Sequence, residues 1–193
     1  MRCALAAFVL LFALPVLAGP FDDGIRALEE GKFADARAAF TPLAAAGDGD
    51  AQFMLGVMLE NGLGTAKDAV AAAAWYRKAA ASGVASAQYN LGVFYQLGSG
   101  VPRDLTQALK YHRLAAAQGH SRAQNNLGTM YYTGAGVVRD PLEAWKWLTL
   151  ASHGLQGDAR EIAERNVAAI ERELPPDALA EAKRRAAAWT PRK

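Results

Sequence analysis

Residues 87–122 read AQYNLGVFYQLGSGVPRDLTQALKYHRLAAAQGHSR, and the chain says nearly the same thing twice more. Ala87, Gln88, Leu91, Gly92, Gly98, Gly100, Asp104, Ala108 and Ala115 stand thirty-six residues after Ala51, Gln52, Leu55, Gly56, Gly62, Gly64, Asp68, Ala72 and Ala79. They return after another thirty-six as Ala123, Gln124, Leu127, Gly128, Gly134, Gly136, Asp140, Ala144 and Ala151. A bulky aromatic keeps the same period as Trp75, Tyr111 and Trp147. Chance supplies about one such triple identity in an Ala/Gly-rich chain, so the pattern is an internal repeat. A period of this length means stacked supersecondary units, and it argues against a catalytic centre built from any single motif.

Each unit predicts two helices joined by a glycine turn. In the middle copy Ala87, Leu91 and Tyr95 fall on one helical face, and Gly92 beside them lets a second helix approach closely. Gly98-Ser99-Gly100 ends that helix, glycine supplying the positive φ that other residues resist. Asp104 is placed to cap the second helix, with Gln107 three residues on to complete a capping box. In the third copy Asp140, Pro141 and Glu143 make the same arrangement. The second helix of the middle copy carries Ala108, Tyr111 and Ala115 on its buried side and stops at Gly119.

The pattern A-Q-x-x-L-G-x-x-Y-x-x-G-x-G-V-x-R-D-x-x-x-A resembles the Sel-1-like repeat, a relative of the tetratricopeptide repeat. Ala87 to Asp104 and Ala123 to Asp140 match it nearly throughout. The first copy departs at Leu59 and Thr65, and the third has Leu155 for its terminal glycine, with Gly154 one place early. The resemblance implies an all-α fold, an α/α superhelical solenoid of stacked helix pairs. Its expected segments are a signal peptide (1–18), a tetratricopeptide-like pair (19–49), three repeats (51–86, 87–122 and 123–156) and C-terminal capping helices (157–193). Irregular stacking is expected at the last junction. In the cap, Ile162, Ala163, Val167, Ile170 and Leu174 mark one side of a helix, and Leu179, Ala182, Ala186 and Trp189 mark another.

The N-terminus has the three-part layout of a secretory signal: basic Arg2, an apolar run from Ala4 to Leu14, then Pro15 and Val16-Leu17-Ala18. The run is too short to span about 30 Å of hydrocarbon. Cleavage after Ala18 removes Cys3, the only cysteine, so the exported chain relies on packing without disulfides. It then carries nearly balanced charge, which excludes the electrostatic footprint of a nucleic-acid binder. The basic cluster of Lys183, Arg184 and Arg185 with Arg192 and Lys193 reads as a solvated helix face. A periplasmic or secreted location without stable membrane insertion is expected.

Little in the sequence suggests catalysis. The glycine pairs follow helices and lack a Lys-Ser/Thr, so they are turn glycines and not a phosphate loop. His112, His120 and His153 show no chelating spacing, and Ser152-His153 are neighbours about 100° apart on a helix, poorly placed for a nucleophile–base pair. Cysteine-rich secreted relatives have been linked to β-lactam chemistry, but their paired cysteines are absent here. No catalytic, metal or cofactor residues are therefore expected.

In tetratricopeptide-like units the first helix of each pair lines a concave groove. By that resemblance the groove residues are Phe53 and Val57, then Tyr89, Asn90, Val93 and Gln96, then Asn125, Asn126, Thr129 and Tyr132. Amides that donate and accept, beside aromatic anchors, suit an extended peptide. The resemblance also allows Asn90 and Asn126 a different role, as family-consensus residues that fix the helix pair. The expected function is an exported, non-enzymatic adaptor for a protein or peptide partner. Two other readings compete, an envelope polysaccharide-binding scaffold and a small hydrolase.

Overall fold

The computed structural model describes residues 19–191; the expected signal peptide and Arg192-Lys193 lie outside them. The described residues form ten α-helices: α1 (Pro20–Glu29), α2 (Phe33–Ala45), α3 (Gly49–Asn61), α4 (Ala69–Ala81), α5 (Ala85–Leu97), α6 (Leu105–Ala117), α7 (Ser121–Thr133), α8 (Pro141–Gly154), α9 (Gly157–Glu173) and α10 (Pro176–Ala187). Helices α1 to α8 each pack on the next, and α10 folds back onto α8. The result is the α/α repeat solenoid that the period predicts.

The apolar clusters straddle the unit boundaries. One joins Ala72, Tyr76 and Ala79 of α4 to Ala87, Leu91 and Phe94 of α5, and another joins Ala108 and Ala115 of α6 to Leu127 and Met130 of α7. A single unit therefore has too little core to stand alone, and stacking completes it.

Two contacts explain why certain residues recur. The first is a helix crossing without a β-carbon. A Cβ on Gly92 would lie 2.8 Å from Nδ1 and Cε1 of His112. The same device pairs Gly56 with Tyr76 and Gly128 with Leu148, and in the N-terminal pair Gly24 with Phe40. The second is a buried amide at each junction. Gln52, Gln88 and Gln124 donate from Nε2 to the carbonyls of Ala44, Ala80 and Ala116 at 3.1, 3.2 and 3.3 Å. Each carbonyl also accepts from the N–H of the glycine that ends its helix, Gly47, Gly83 or Gly119, so the glutamine adds a second donor and ties the next helix to that turn. Gly100 has a further reason to recur. It sits at φ +64°, and a Cβ there would run into the backbone of Ala69, the first residue of α4. The turn of one unit thus rests on the start of the previous unit's second helix.

Asp68, Asp104 and Asp140 cap α4, α6 and α8 as expected, each side chain accepting from backbone N–H groups of the first turn. The reciprocal half of the capping box is not formed. The N–H groups of Asp104 and Asp140 instead donate to the carbonyls of Tyr95 and Tyr131 at 2.9 Å, so no side chain is needed there. Glu143 is released for other partners. Two further expectations are corrected. Ile162 is 46% exposed, because α9 is buried through Ala163 and Ile170 while Ile162 turns outward. Trp189 lies beyond the end of α10 and meets Trp147 edge-on, ring centres 6.2 Å apart. At the last junction α8 runs on through Gly154, and an extended Leu155 leads into α9 with its side chain buried.

His112 is fully buried, in contact with Tyr89 and under Gly92. Its Nε2 lies 3.3 Å from Oε1 of Gln96 and 3.5 Å from Nδ2 of Asn126, while Nδ1 has no hydrogen-bond partner. Burial first, and then the nearby His120, push its pKa down to about 4. His120 is also held low, by burial and then by Arg122. Its Nδ1 caps α7 by accepting from the N–H of Ala123 at 3.2 Å, which requires an unprotonated nitrogen.

Gly92→Val should force α5 and α6 apart and cost about 1–3 kcal/mol, as overpacking does. Ser99→Ala, in the adjoining turn, should be nearly neutral. Thermal melts of the two variants check this; equal melting temperatures would contradict the crossing. The histidines predict acid sensitivity. The unfolded chain protonates His112 near pH 6.5 and the folded chain only near 4, so the folded form is favoured above 6.5. That stability drains away as pH falls from 6.5 towards 4, by roughly 3 kcal/mol for a shift of this size. His112→Leu, which copies Leu148 in the third unit, should flatten this loss. Urea titrations at several pH values measure it, and an unchanged slope in the variant would show that His112 is not the titrating group.

Candidate partner-binding groove

The first helices of the three repeats are α3, α5 and α7, and on each the residues four and then three positions on share a face. That places Phe53 and Val57 on α3, Tyr89, Val93 and Gln96 on α5, and Asn125, Thr129 and Tyr132 on α7 in corresponding rows. Nine of the ten expected groove residues are half-buried, and Thr129 is exposed. The stripe is accessible without being loosely held.

Several of these side chains are engaged within the array. Phe53 lies 5.7 Å from the Tyr76 ring and, with Val57, packs on the α4–α5 cluster. Tyr89 stacks on His120 at 4.7 Å. Gln96 and Asn126 flank the buried imidazole of His112 on two sides. One unit earlier the Tyr76 hydroxyl donates to Glu60 and also has Asn90 as a hydrogen-bonding neighbour. Burial, followed by Glu60, raises the Tyr76 pKa. The two sets coincide after thirty-six residues: Glu60 with Gln96, Tyr76 with His112, Asn90 with Asn126. Each is a polar rivet, in which a group on a second helix lies within hydrogen-bonding reach of its own first helix and of the first helix of the next unit. Nε2 of His112 serves one side at a time, donating to Gln96 when protonated or accepting from Asn126 when not. The sequence alone leaves Asn90 and Asn126 open between a partner contact and the fixing of the helix pair, and it does not link them to Glu60, Tyr76 and His112. The signal was present in their shared spacing. In the third unit Leu148 takes the central position, and the row of rivets ends there.

Other stripe residues keep more of their surface. Thr129 donates back to the carbonyl of Asn125 at 3.0 Å, as Thr133 does to Thr129 at 2.9 Å. The Oδ1 of Asn125 is buried without a hydrogen-bond partner. The ring of Tyr132 lies 5.1 Å from the guanidinium of Arg139, which also donates from Nε to the Tyr132 carbonyl. Val93 and Thr129, from consecutive units, bring an apolar and a polar contact to the same row.

Away from the stripe, Ser152 is buried and donates to the carbonyl of Thr149 at 2.8 Å, while His153 is exposed. Among the described residues no three or more His, Cys, Asp and Glu side chains gather into a metal-binding group. Within the same span no helix is long and apolar enough to cross a membrane.

The Sel1 repeat model matches residues 49–84, 85–120 and 121–154. These windows begin two residues before the frame chosen from the Ala-Gln pair, at the starts of α3, α5 and α7. Among solved structures, the chain is similar to a Sel1 repeat protein from Oxalobacter formigenes, with 32% identity and a TM-score of 0.71 over 76% of this chain and 59% of that one. It is also similar to c5321, described as a protective antigen present in uropathogenic Escherichia coli strains and displaying an SLR fold. That match has 31% identity and a TM-score of 0.58, over 86% of this chain and 44% of the other. The chain thus spans less than two thirds of either protein's length. No curated protein matches the sequence. With consecutive repeat matches from residue 49 to 154 and the same solenoid in its structural neighbours, the chain belongs to the Sel1 repeat family.

Proposed function

We propose that the chain is an exported, non-enzymatic scaffold that holds a protein or peptide partner along the stripe of α3, α5 and α7. The observation that carries this reading is the stripe itself: half-exposed aromatic, amide and aliphatic side chains at matching positions of consecutive units. The scaffold is rigid where the rivets and glycine crossings fix it, so an incoming chain meets a preorganised surface and loses less affinity to ordering. Sel1 repeats generally mediate protein interactions. The test uses residues that the array does not need for its own packing. Val93→Glu with Thr129→Glu should leave helical content unchanged and weaken the partner by about 2 kcal/mol or more, roughly thirtyfold in affinity. Arg184→Ala, on a side chain 70% exposed in the terminal cap, is the comparison. Crosslinking pull-downs from the cell envelope identify the partner, and titration with it gives the affinities. Loss of the partner from the Arg184→Ala protein but not from the stripe variant would move the binding surface to the cap. Recovery of a glycan instead would favour the polysaccharide scaffold.

Export is part of the same proposal. Helix α1 begins at Pro20, directly after the proposed cleavage point, and the N–H of Gly19 donates to Oδ2 of Asp22 at 3.0 Å. As a new amino terminus Gly19 would carry a positive charge beside that carboxylate, a favourable pairing. Intact-mass measurement of fractionated native protein should find a species starting at Gly19 outside the cytoplasm. A species retaining Met1 in the membrane fraction would overturn it.

A further inference from the structure

Away from the ten stripe residues, α6, α7, α8 and α10 line a cleft of about 630 Å³. Its walls are aromatic and its charge is cationic. Trp147 and Trp189 meet edge to face, and Tyr131 forms a third side. Arg113, Lys146 and Arg185 supply three positive charges against the single carboxylate of Glu143.

That carboxylate is fully engaged. Its Oε2 accepts from Lys146 at 3.2 Å and from the Trp147 indole at 3.0 Å, and its Oε1 accepts from Arg185 at 3.2 Å. Arg185 has a second carboxylate in Glu181. Arg113 differs. It donates from Nη2 to the Tyr131 hydroxyl at 2.6 Å, its guanidinium stands over that ring, and among the described residues it has no carboxylate partner.

The period shows that the site is particular to this end of the array. Two units earlier, Thr41, Leu59, Ala71 and Ala74 hold the places of Arg113, Tyr131, Glu143 and Lys146. The furrow there is a smaller cavity of about 190 Å³ lined by Leu55, Met58 and Trp75. In the middle unit Tyr95 and Tyr111 stack nearly parallel at 5.8 Å in the places of Tyr131 and Trp147. Only at the end of the array do α10 and the residues just after it add Arg185 and Trp189 as a further wall.

We propose that this cleft is a second binding site, one that takes a carboxylate carried on a flat apolar body. The carboxylate would pair with the fork of Arg113, and the flat body would lie against the indole walls. A single negative charge matches the site, because Lys146 and Arg185 already have carboxylates in Glu143 and Glu181 and only Arg113 is left without one among the described residues. The cleft volume falls in the range of small-ligand pockets. A free aromatic acid and the carboxyl terminus of a peptide ending in an aromatic residue share this chemistry.

Calorimetric titration of the purified full chain with 2-naphthoate tests the proposal, with neutral 2-naphthamide as the uncharged counterpart. The acid should bind saturably, and the amide roughly tenfold more weakly or less. Arg113→Gln should weaken the acid by a similar factor, with its circular dichroism unchanged. Arg77→Gln, the same position one unit earlier, should bind as the parent does. The indole N–H resonances of Trp147 and Trp189 should shift, and that of Trp75 should not. The absence of saturable binding, equal affinity for acid and amide, or equal losses in the Arg113→Gln and Arg77→Gln proteins would overturn the site. A tetrapeptide Gly-Ser-Gly-Phe with a free carboxyl terminus, compared with 2-naphthoate, shows which source of the carboxylate fits better. The stripe variant Val93→Glu with Thr129→Glu should keep the acid, which separates this site from the groove.

Discussion

The array depends on a methyl group that is missing. At Gly24, Gly56, Gly92 and Gly128 a second helix lays a large side chain against the bare backbone of the first: Phe40, Tyr76, His112 and Leu148. A residue with even one β-carbon would meet those atoms at 2.6–2.8 Å, well inside van der Waals contact. The close crossing has two consequences. It buries the large side chain completely or nearly so, and it fixes where the next unit must sit, because the same side chains also face the following first helix. Tyr76, for example, meets Phe94 of the second unit edge-on, ring centres 5.4 Å apart. Once one crossing is set, the following unit has little freedom.

That constraint decides what the groove can do. A buried Tyr76 or His112 brings polar atoms into the interior, and they must be paired or they cost stability. Glu60 and Asn90 meet the first, while Gln96 and Asn126 meet the second, from the helices that also line the stripe. The amides nearest the crossings therefore serve the scaffold first, and recognition is left to the residues around them, such as Val93, Thr129 and Tyr132. The third unit, with Leu148 in the crossing, has no polar atom at the crossing itself to satisfy. Its Tyr132 is correspondingly free to associate with Arg139 at the surface.

The fold was legible because its determinants are local and repeated. Glycine turns, aspartate caps and the alanine faces of the second helices can each be read within one unit, and three copies confirm one another. The crossing at Gly92 was legible too, though its partner was not, since which atom meets a missing Cβ depends on helix rotation. Gly24 escaped notice for a different reason. It sits sixteen residues before Phe40, whereas the repeats separate the same pair by twenty, so the N-terminal pair lies out of register with the period that exposed the others. The unformed capping boxes mark another limit. Asp104 and Gln107 have the right spacing, but the N–H that Gln107 would have accepted from is already bonded to Tyr95 across the turn. Tertiary hydrogen bonds of that kind leave no trace in a sequence pattern.

A repeat array separates two tasks that a globular domain combines. The positions that recur identically (the glutamine junctions, the crossing glycines, the small alanines) hold the backbone, and their sameness keeps every unit in the same pose. Positions that vary at the same period carry different chemistry into the same place. The furrow between second helices shows this directly. Thr41, Arg77 and Arg113 hold one position, Ala74, Lys110 and Lys146 another, and the aromatic at Trp75, Tyr111 and Trp147 persists beside them. The backbone offers the same furrow each time, and the side chains change it from a small apolar hollow, to a stacked tyrosine pair, to a cationic cleft closed by Trp189. Chemical individuality rises towards the C-terminal end, where α10 supplies a wall that no repeat could provide.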